Sequence, residues 1–268
     1  MSYFKDKQIL ITGAASGLGK QMAEKMGERG GKLILLDIDD SGLATVKDDL
    51  VYKNIDVSTL TCDLSDRNNI YEVTSKIDRV DILINNAGFV TGKYILDAPD
   101  DLIERTYKVN ILSHFWLVKR FLPGMLERDS GHIVSIASAG GLAATPRMTD
   151  YCSSKFAVIG FDESLRLELR KLKSNVLTTV VCPFVVDTEL FAGAKTRFKF
   201  LLPILKQEYV VNRIVKAISK RKRRLIMPRF VYTIFPLRLL SPSFQDSILD
   251  FLGANRSMDE FVGKEQKM

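Results

Sequence analysis

Gln8-Ile9-Leu10-Ile11-Thr12-Gly13-Ala14-Ala15-Ser16-Gly17-Leu18-Gly19-Lys20 runs from a short apolar stretch into three closely spaced glycines. The first five residues have the profile of a strand covered on both faces. Gly13, Gly17 and Gly19 would give a tight turn and let backbone approach a phosphate closely. A helix opening there presents free N–H groups and the positive end of its dipole. The Gly-x-x-x-Gly-x-Gly spacing is not the Gly-x-Gly-x-x-Gly of the commonest dinucleotide fingerprint, and the Gly-Lys-Ser/Thr of a P-loop is missing. By itself the stretch also suits a plain strand-to-helix turn.

The flanking sequence decides between these readings. Lys32 to Asp37 reads as a second buried strand ending in an acid. Asp37 lies about 20 residues beyond the glycines, where a carboxylate can accept both hydroxyls of an adenine ribose and would repel a 2′-phosphate. A helix from Asp40 to Tyr52 leads to a strand over Asp56 to Cys62, ending at Asp63-Leu64 where an adenine edge would lie. A helix from Asp66 to Ile77 precedes a strand beginning at Val80 and running into Asn85-Asn86-Ala87-Gly88. Strands alternating with helices imply βαβ units and a parallel sheet, whose ligands bind beyond the strand C-termini. Gly13, Asp37, Asp63 and Asn86 all fall at such ends. We therefore expect an α/β chain, one Rossmann domain over residues 1–268, with a doubly wound parallel sheet of about seven strands and helices on both faces.

The 268 residues include 46% hydrophobic and 26% charged side chains, an ordinary soluble composition. The net charge of +7 suits an anionic partner. Cys62, Cys152 and Cys182 show neither a disulfide framework nor zinc spacing, so a reducing, cytoplasmic setting is expected. His114 and His132 show no ligand spacing, so no metal is expected. Met1 to Lys7 does not read as a signal peptide, and no apolar run reaches the roughly 20 residues of a membrane span. Phe230 to Leu240 is interrupted by Pro236 and Arg238.

Tyr151-Cys152-Ser153-Ser154-Lys155 places a phenol and an ammonium one helical turn apart. A nearby cation favours the phenolate, and lowering a phenol by roughly three units takes about 4 kcal/mol. Asn110 lies in a helical stretch from Asp100 to Arg128, polar amid apolar neighbours. Ser138 closes a strand that begins at Gly131.

Thr12-Gly13-x-x-x-Gly17-x-Gly19, Asn85-Asn86-Ala87-Gly88, Asn110, Ser138 and Tyr151-x-x-x-Lys155 occur in the order and spacing of the classical short-chain dehydrogenase/reductase family, which the chain resembles from about residue 7 to 190. The resemblance implies hydride transfer between an alcohol or carbonyl and a nicotinamide cofactor. Tyr151 would be the general acid/base, and Lys155 would bind the nicotinamide ribose and lower the tyrosine. Ser138 would orient the substrate oxygen, and Asn110 would hold a water linking Lys155 to solvent. Gly13, Ser16, Gly17, Leu18 and Gly19 would take the phosphates; Asp37, Asp63 and Leu64 the adenosine; Asn86, Ala87 and Gly88, with Pro183 and Thr188, the rest of the cofactor. Asp37 implies NAD over NADP. Phe184 departs from the family's usual glycine after this proline. Cys182 to Thr188 resembles the branch containing retinol and 17-beta-hydroxysteroid dehydrogenases.

Residues 190–268 match the family poorly and are read as a variable substrate-covering region. Phe191, Phe198, Phe200, Leu201, Leu202 and Leu205 suggest an apolar lid. A helix from Glu208 to Ser219 leads to Lys220-Arg221-Lys222-Arg223-Arg224, then a seventh strand over Leu225 to Pro228. This basic run beside the aromatic Phe230–Leu240 stretch suggests peripheral contact with an anionic membrane. A solvated basic face or a subunit contact is the alternative, and the family implies a homodimer or homotetramer. The leading expectation is an NAD-dependent oxidoreductase of a lipophilic alcohol, steroid, retinol-like or long-chain. The alternatives are an NADP-dependent carbonyl reductase and a non-catalytic dinucleotide sensor that binds nucleic acid. No nucleic-acid motif accompanies the charge, so no such partner is expected.

Overall fold

The computed structural model describes residues 2–198, 200 and 202–261. Seven parallel strands form one sheet: β1 Gln8–Thr12, β2 Lys32–Asp37, β3 Val57–Thr61, β4 Ile82–Asn85, β5 His132–Ile136, β6 Leu177–Pro183 and β7 Arg224–Met227. Their order is β3-β2-β1-β4-β5-β6-β7. The chain winds outward from β1 to β3, then returns to β4 beside β1 and winds the other way. That reversal opens a crevice between the C-terminal ends of β1 and β4, where open α/β sheets bind ligands.

β1, β2 and β4 read as apolar runs because both faces are covered, whereas the edge strand β3 is partly polar and only half-buried. Ile9 and Ile11 of β1 pack with α1 (Gly17–Gly27), α2 (Asp40–Tyr52) and α7 (Gln207–Ser219), through Met22, Leu43 and Ile214. Leu10, between them, points to the other face, toward α3 (Arg67–Ser75), α5 (Ser113–Glu127) and the 23-residue α6 (Thr149–Lys171). Asp39 and Asp66 cap α2 and α3 by accepting the backbone N–H groups of Gly42 and Asn68.

Beyond shifts of one or two residues at several element ends, three features differ from the sequence reading. The helical stretch expected from Asp100 to Arg128 is α4 (Asp100–Tyr107), a π-helical turn over Lys108–Leu112 and then α5. The strand expected to end at Ser138 stops at Ile136, and Ser138 instead caps a 3₁₀ turn over Ala139–Gly141. The third difference concerns the tail. Lys220–Arg224 precedes and enters β7, whereas Phe230–Leu240 follows its C-terminal end as a 3₁₀ turn (Arg229–Thr233) and α8 (Ile234–Leu237). A four-residue strand carries the chain roughly 13 Å. The basic run and the aromatic stretch therefore occupy opposite ends of the sheet instead of one surface. Arg221 lies over the Tyr3 ring, 5.6 Å from its centroid, beside His132 at the start of β5.

The expected lid also divides. Leu205 belongs to the main core and Phe200 is 95% exposed. Leu202 is buried against the cavity described below, and Phe198 packs on Phe251. Leu201 lies outside the described residues.

Candidate active site

A cleft of about 390 Å³ follows the C-terminal edge of the sheet from Asp37 to Lys155. Its floor is the glycine turn. Gly13 has φ +64°, and a Cβ there would come within 2.8 Å of Ala87 Cα. Gly17 has φ +55°, and its Cβ would meet only Thr188 Cγ2, at 4.0 Å, so the backbone is bare to the cleft. Gly19 does not line the cleft. A Cβ on it would strike the Gly13 carbonyl at 2.0 Å, so it lets the turn fold onto α1.

The first turn of α1 carries no acid, and the Ser16 side chain makes no capping bond. The N–H groups and positive dipole of that turn are thus available to an anion. Asn86 ties the two sides of the crevice together. Its Nδ2 donates to the carbonyls of Thr12 (2.9 Å) and Gly13 (3.1 Å), while Thr12 Oγ1 accepts the N–H groups of Asn86 and Ala87.

At one end of the cleft the Asp37 carboxylate is held in place by Ala15 N–H (2.9 Å) and Asp39 N–H (3.1 Å). Asp63 and Leu64 line the cleft nearby, the Asp63 carboxylate accepting from the Ser65 N–H and hydroxyl. At the other end Ser138, Tyr151 and Lys155 converge, with Gly88, Pro183 and Thr188. The Ser138 hydroxyl accepts Gly140 N–H at 3.0 Å and lines the cleft beside Tyr151. Lys155 Nζ donates to the Ile136 carbonyl at 2.9 Å and sits 5.6 Å from the Tyr151 ring centre.

Burial dominates the electrostatics of this pair. Burial pushes the Tyr151 hydroxyl up, against a smaller lowering by Ser138, and burial brings the Lys155 ammonium down to about 8. Desolvation opposes both charged forms and is the largest influence on each. A lowered phenol at this position needs a further positive charge.

Asn110 is buried behind the cleft. Its Oδ1 accepts Phe89 N–H (2.7 Å) and its Nδ2 donates to the Phe89 carbonyl and to Ser154 Oγ (both 2.9 Å). The side chain clamps the loop after β4 to α6. The π-helical turn turns Asn110 inward to make this clamp, a common use of such turns.

Sequence reasoning missed part of the lining. Phe89 and Arg105 form one wall, with the Arg105 guanidinium 5.3 Å from the Phe89 ring centre, and Gln207 closes another. Neither arginine nor glutamine belonged to a motif that could have flagged it. Phe184, in place of the usual glycine, lines the cleft and also a second cavity of about 100 Å³. Ser138, Tyr151 and Phe191 border both, and the Phe191 ring meets Tyr151 edge-on at 5.7 Å. The rest of the second cavity is almost wholly apolar, with walls from Met148, Leu202, Ile234, Leu249 and Met258. The bare glycine turn, the uncapped helix and the fixed carboxylate together suit a dinucleotide, with its reactive end where the two cavities meet.

The short chain dehydrogenase family model matches residues 7–197. Human epidermal retinol dehydrogenase 2 is 41% identical over 267 residues, covering 97% of this chain and 86% of that protein. Among solved structures, a short chain dehydrogenase/reductase from Burkholderia phymatum in complex with NAD superimposes with a TM-score of 0.79 at 27% identity, over 93% of this chain and 97% of the other. A short-chain dehydrogenase from Sphingobium yanoikuyae in complex with NADPH gives 0.76 at 26% identity, over 98% of each chain.

Proposed function

The chain belongs to the short-chain dehydrogenase/reductase family, in its retinol dehydrogenase branch, and on that premise we propose that it is an NAD-dependent dehydrogenase of a lipophilic alcohol. Membership makes it an oxidoreductase acting on CH–OH groups with a nicotinamide dinucleotide. The observation that carries the finer reading is the apolar cavity meeting the cofactor cleft at Ser138 and Tyr151. A hydroxyl placed there has two polar partners, and the remainder of its molecule meets mostly apolar walls. Steroids, retinol-like molecules and long-chain alcohols share that chemistry, and the human relative is named for retinol.

In this reading Ser138 Oγ hydrogen-bonds the substrate oxygen and Tyr151 Oη takes its proton as the carbon gives up hydride. Lys155 Nζ, anchored on the Ile136 carbonyl, lies along the nicotinamide end, and Thr188 and Pro183 flank it. A nicotinamide dinucleotide held by Lys155, Pro183 and Thr188 would supply the hydride exchange and, in its oxidised form, a positive charge beside the phenol. Asn110 supports the site through Phe89 and Ser154. The fixed Asp37 carboxylate favours NAD, and NAD in turn favours oxidation over carbonyl reduction. A panel of alcohols with purified protein tests this: NADH should form with lipophilic alcohols and far more slowly with short polar ones. Turnover of short polar alcohols alone would overturn the reading.

Two associations extend it. Phe115 on α5 and Leu167 on α6 are exposed apolar side chains, and self-association through these helices is the homodimer or homotetramer that the family implies. Peripheral membrane contact is favoured by α8 and α9 (Pro242–Leu252), which are apolar on two sides. Their Ile234, Leu237, Leu249 and Leu252 line the apolar cavity, while Phe235, Phe244 and Phe251 are exposed. Among the described residues no helix is long and apolar enough to cross a membrane. Sedimentation with liposomes should show binding to neutral as well as anionic vesicles, lost in Phe244→Ser/Phe251→Ser. Binding to anionic vesicles alone, abolished by neutralising Lys220–Arg224, would move the contact to the opposite end of the sheet.

A further inference from the structure

The wall of the apolar cavity farthest in sequence from the family motifs comes from the segment after α9. Ala254, Ser257 and Met258 line the cavity, and Met258, 3% exposed, packs in one cluster with Val90, Met148, Tyr151 and Cys152. Nothing in the local sequence requires this segment to lie here. It is tied down from outside. Arg147 Nη1 donates to the carbonyls of Met258 (2.7 Å) and Asp259 (2.8 Å), and the Lys195 N–H donates to the Ser257 carbonyl (2.9 Å).

Arg147 is unusual in its own right. It holds φ +63°, a left-handed backbone region that residues bearing a Cβ adopt at a cost and that glycine adopts freely. It lies four positions before Tyr151 and immediately before Met148, the N-cap of α6. One guanidinium thus joins the entry of the catalytic helix to the backbone of Met258. The cavity measures about 100 Å³, well under the roughly 300–1,000 Å³ of pockets that enclose drug-sized ligands.

We propose that Met258 is a specificity-determining residue that sets the upper size of the substrate, and that Arg147 is the positioning residue that latches it in place. The inference rests on the lipophilic-alcohol reading and narrows it. With the latch closed, a slender unbranched alcohol fits between Tyr151 and Met258, and a fused-ring alcohol requires this wall to give way.

Steady-state kinetics with a slender long-chain alcohol and a steroid alcohol test it in full-length Met258→Ala, Arg147→Gly and Arg147→Lys. Glycine removes the guanidinium while suiting the positive φ, and lysine restores a cationic donor. The ratio of kcat/KM for bulky over slender substrate should rise at least about tenfold in Met258→Ala, since removing pocket methylenes changes discrimination by that order. Arg147→Gly should move the ratio the same way, mainly through KM, and Arg147→Lys should return it toward wild type. An unchanged ratio, or an equal loss with both substrates, would overturn the proposal.

Cys152 supplies a readout independent of turnover, because it is buried in the same cavity. Alkylation of Cys152, mapped by peptide mass, should accelerate in Arg147→Gly and more so for a bulky maleimide than for iodoacetamide. Unaltered labelling there would refute the latch. A wild-type enzyme inactive on every lipophilic alcohol would instead refute the substrate reading, and the labelling would still decide the latch.

Discussion

Tyr151→Phe should fold, bind NADH and lose turnover by about 10²–10⁴-fold, the range a positioned acid/base supplies. The substitution removes one oxygen and keeps the ring. The contacts that hold the ring, edge-on Phe191 at 5.7 Å and the cluster with Val90, Met148 and Met258, are all apolar and survive. What disappears is the Tyr151 hydroxyl beside Ser138. Ser138 Oγ is still held by Gly140 N–H, so it can orient a substrate oxygen but has no reason to accept its proton. The loss should therefore fall on kcat, with NADH affinity by fluorescence titration near the wild-type value. Near wild-type turnover in this variant would remove Tyr151 from the proton-transfer step. The raised hydroxyl sharpens the point. In the protein alone burial keeps the phenol protonated, so for oxidation kcat/KM should climb with pH as a larger fraction of Tyr151 can accept a proton.

The sheet was legible because its central strands β1, β2 and β4 are covered on both faces and so appear as apolar runs closed by a polar residue. Thr12-Gly13, Asp37 and Asn85-Asn86 mark three such ends, and the fold brings all of them to one crevice. The π-helical turn was not legible. The apolar pattern on either side of Asn110 continues through it, and the turn serves a clamp on Phe89 and Ser154 that only the tertiary fold supplies. Spacing also misled at the tail. Lys220–Arg224 and Phe230–Leu240 are neighbours in sequence, yet the intervening parallel strand sends them to opposite ends of the sheet. Likewise Leu205 and Phe200 look alike as lid residues, but pairing of Leu205 with Val186 draws it into the core and leaves Phe200 in solvent. The Tyr151/Lys155 geometry was readable from a helical repeat, whereas the balance between desolvation and attraction depends on burial that no repeat encodes.

Asp37→Ala should raise NADP use relative to NAD, read as the ratio of the two kcat/KM values, by about 10²-fold. The carboxylate stands at the cleft's end with both oxygens already accepting a backbone N–H, so it cannot easily turn away from a ligand placed beside it. A 2′-phosphate carries close to two negative charges at neutral pH. Two unit charges about 4 Å apart repel by about 4 kcal/mol at an effective dielectric of about 20, and salt and water lessen this toward the expected ratio. Part of the change should come as lost NAD affinity, because the acceptor for the ribose hydroxyls goes with the charge. A modest fall in thermal stability should accompany it, since Ala15 N–H and Asp39 N–H lose their partner. The preference should shift without complete inversion. Asp39, whose carboxylate caps α2 through Gly42 N–H, lines the same end of the cleft and keeps a negative charge there. An unchanged ratio would detach Asp37 from cofactor choice, leaving NAD without its structural argument. A rise through gained NADP activity at constant NAD activity would show that the carboxylate excludes a phosphate but does not hold the ribose.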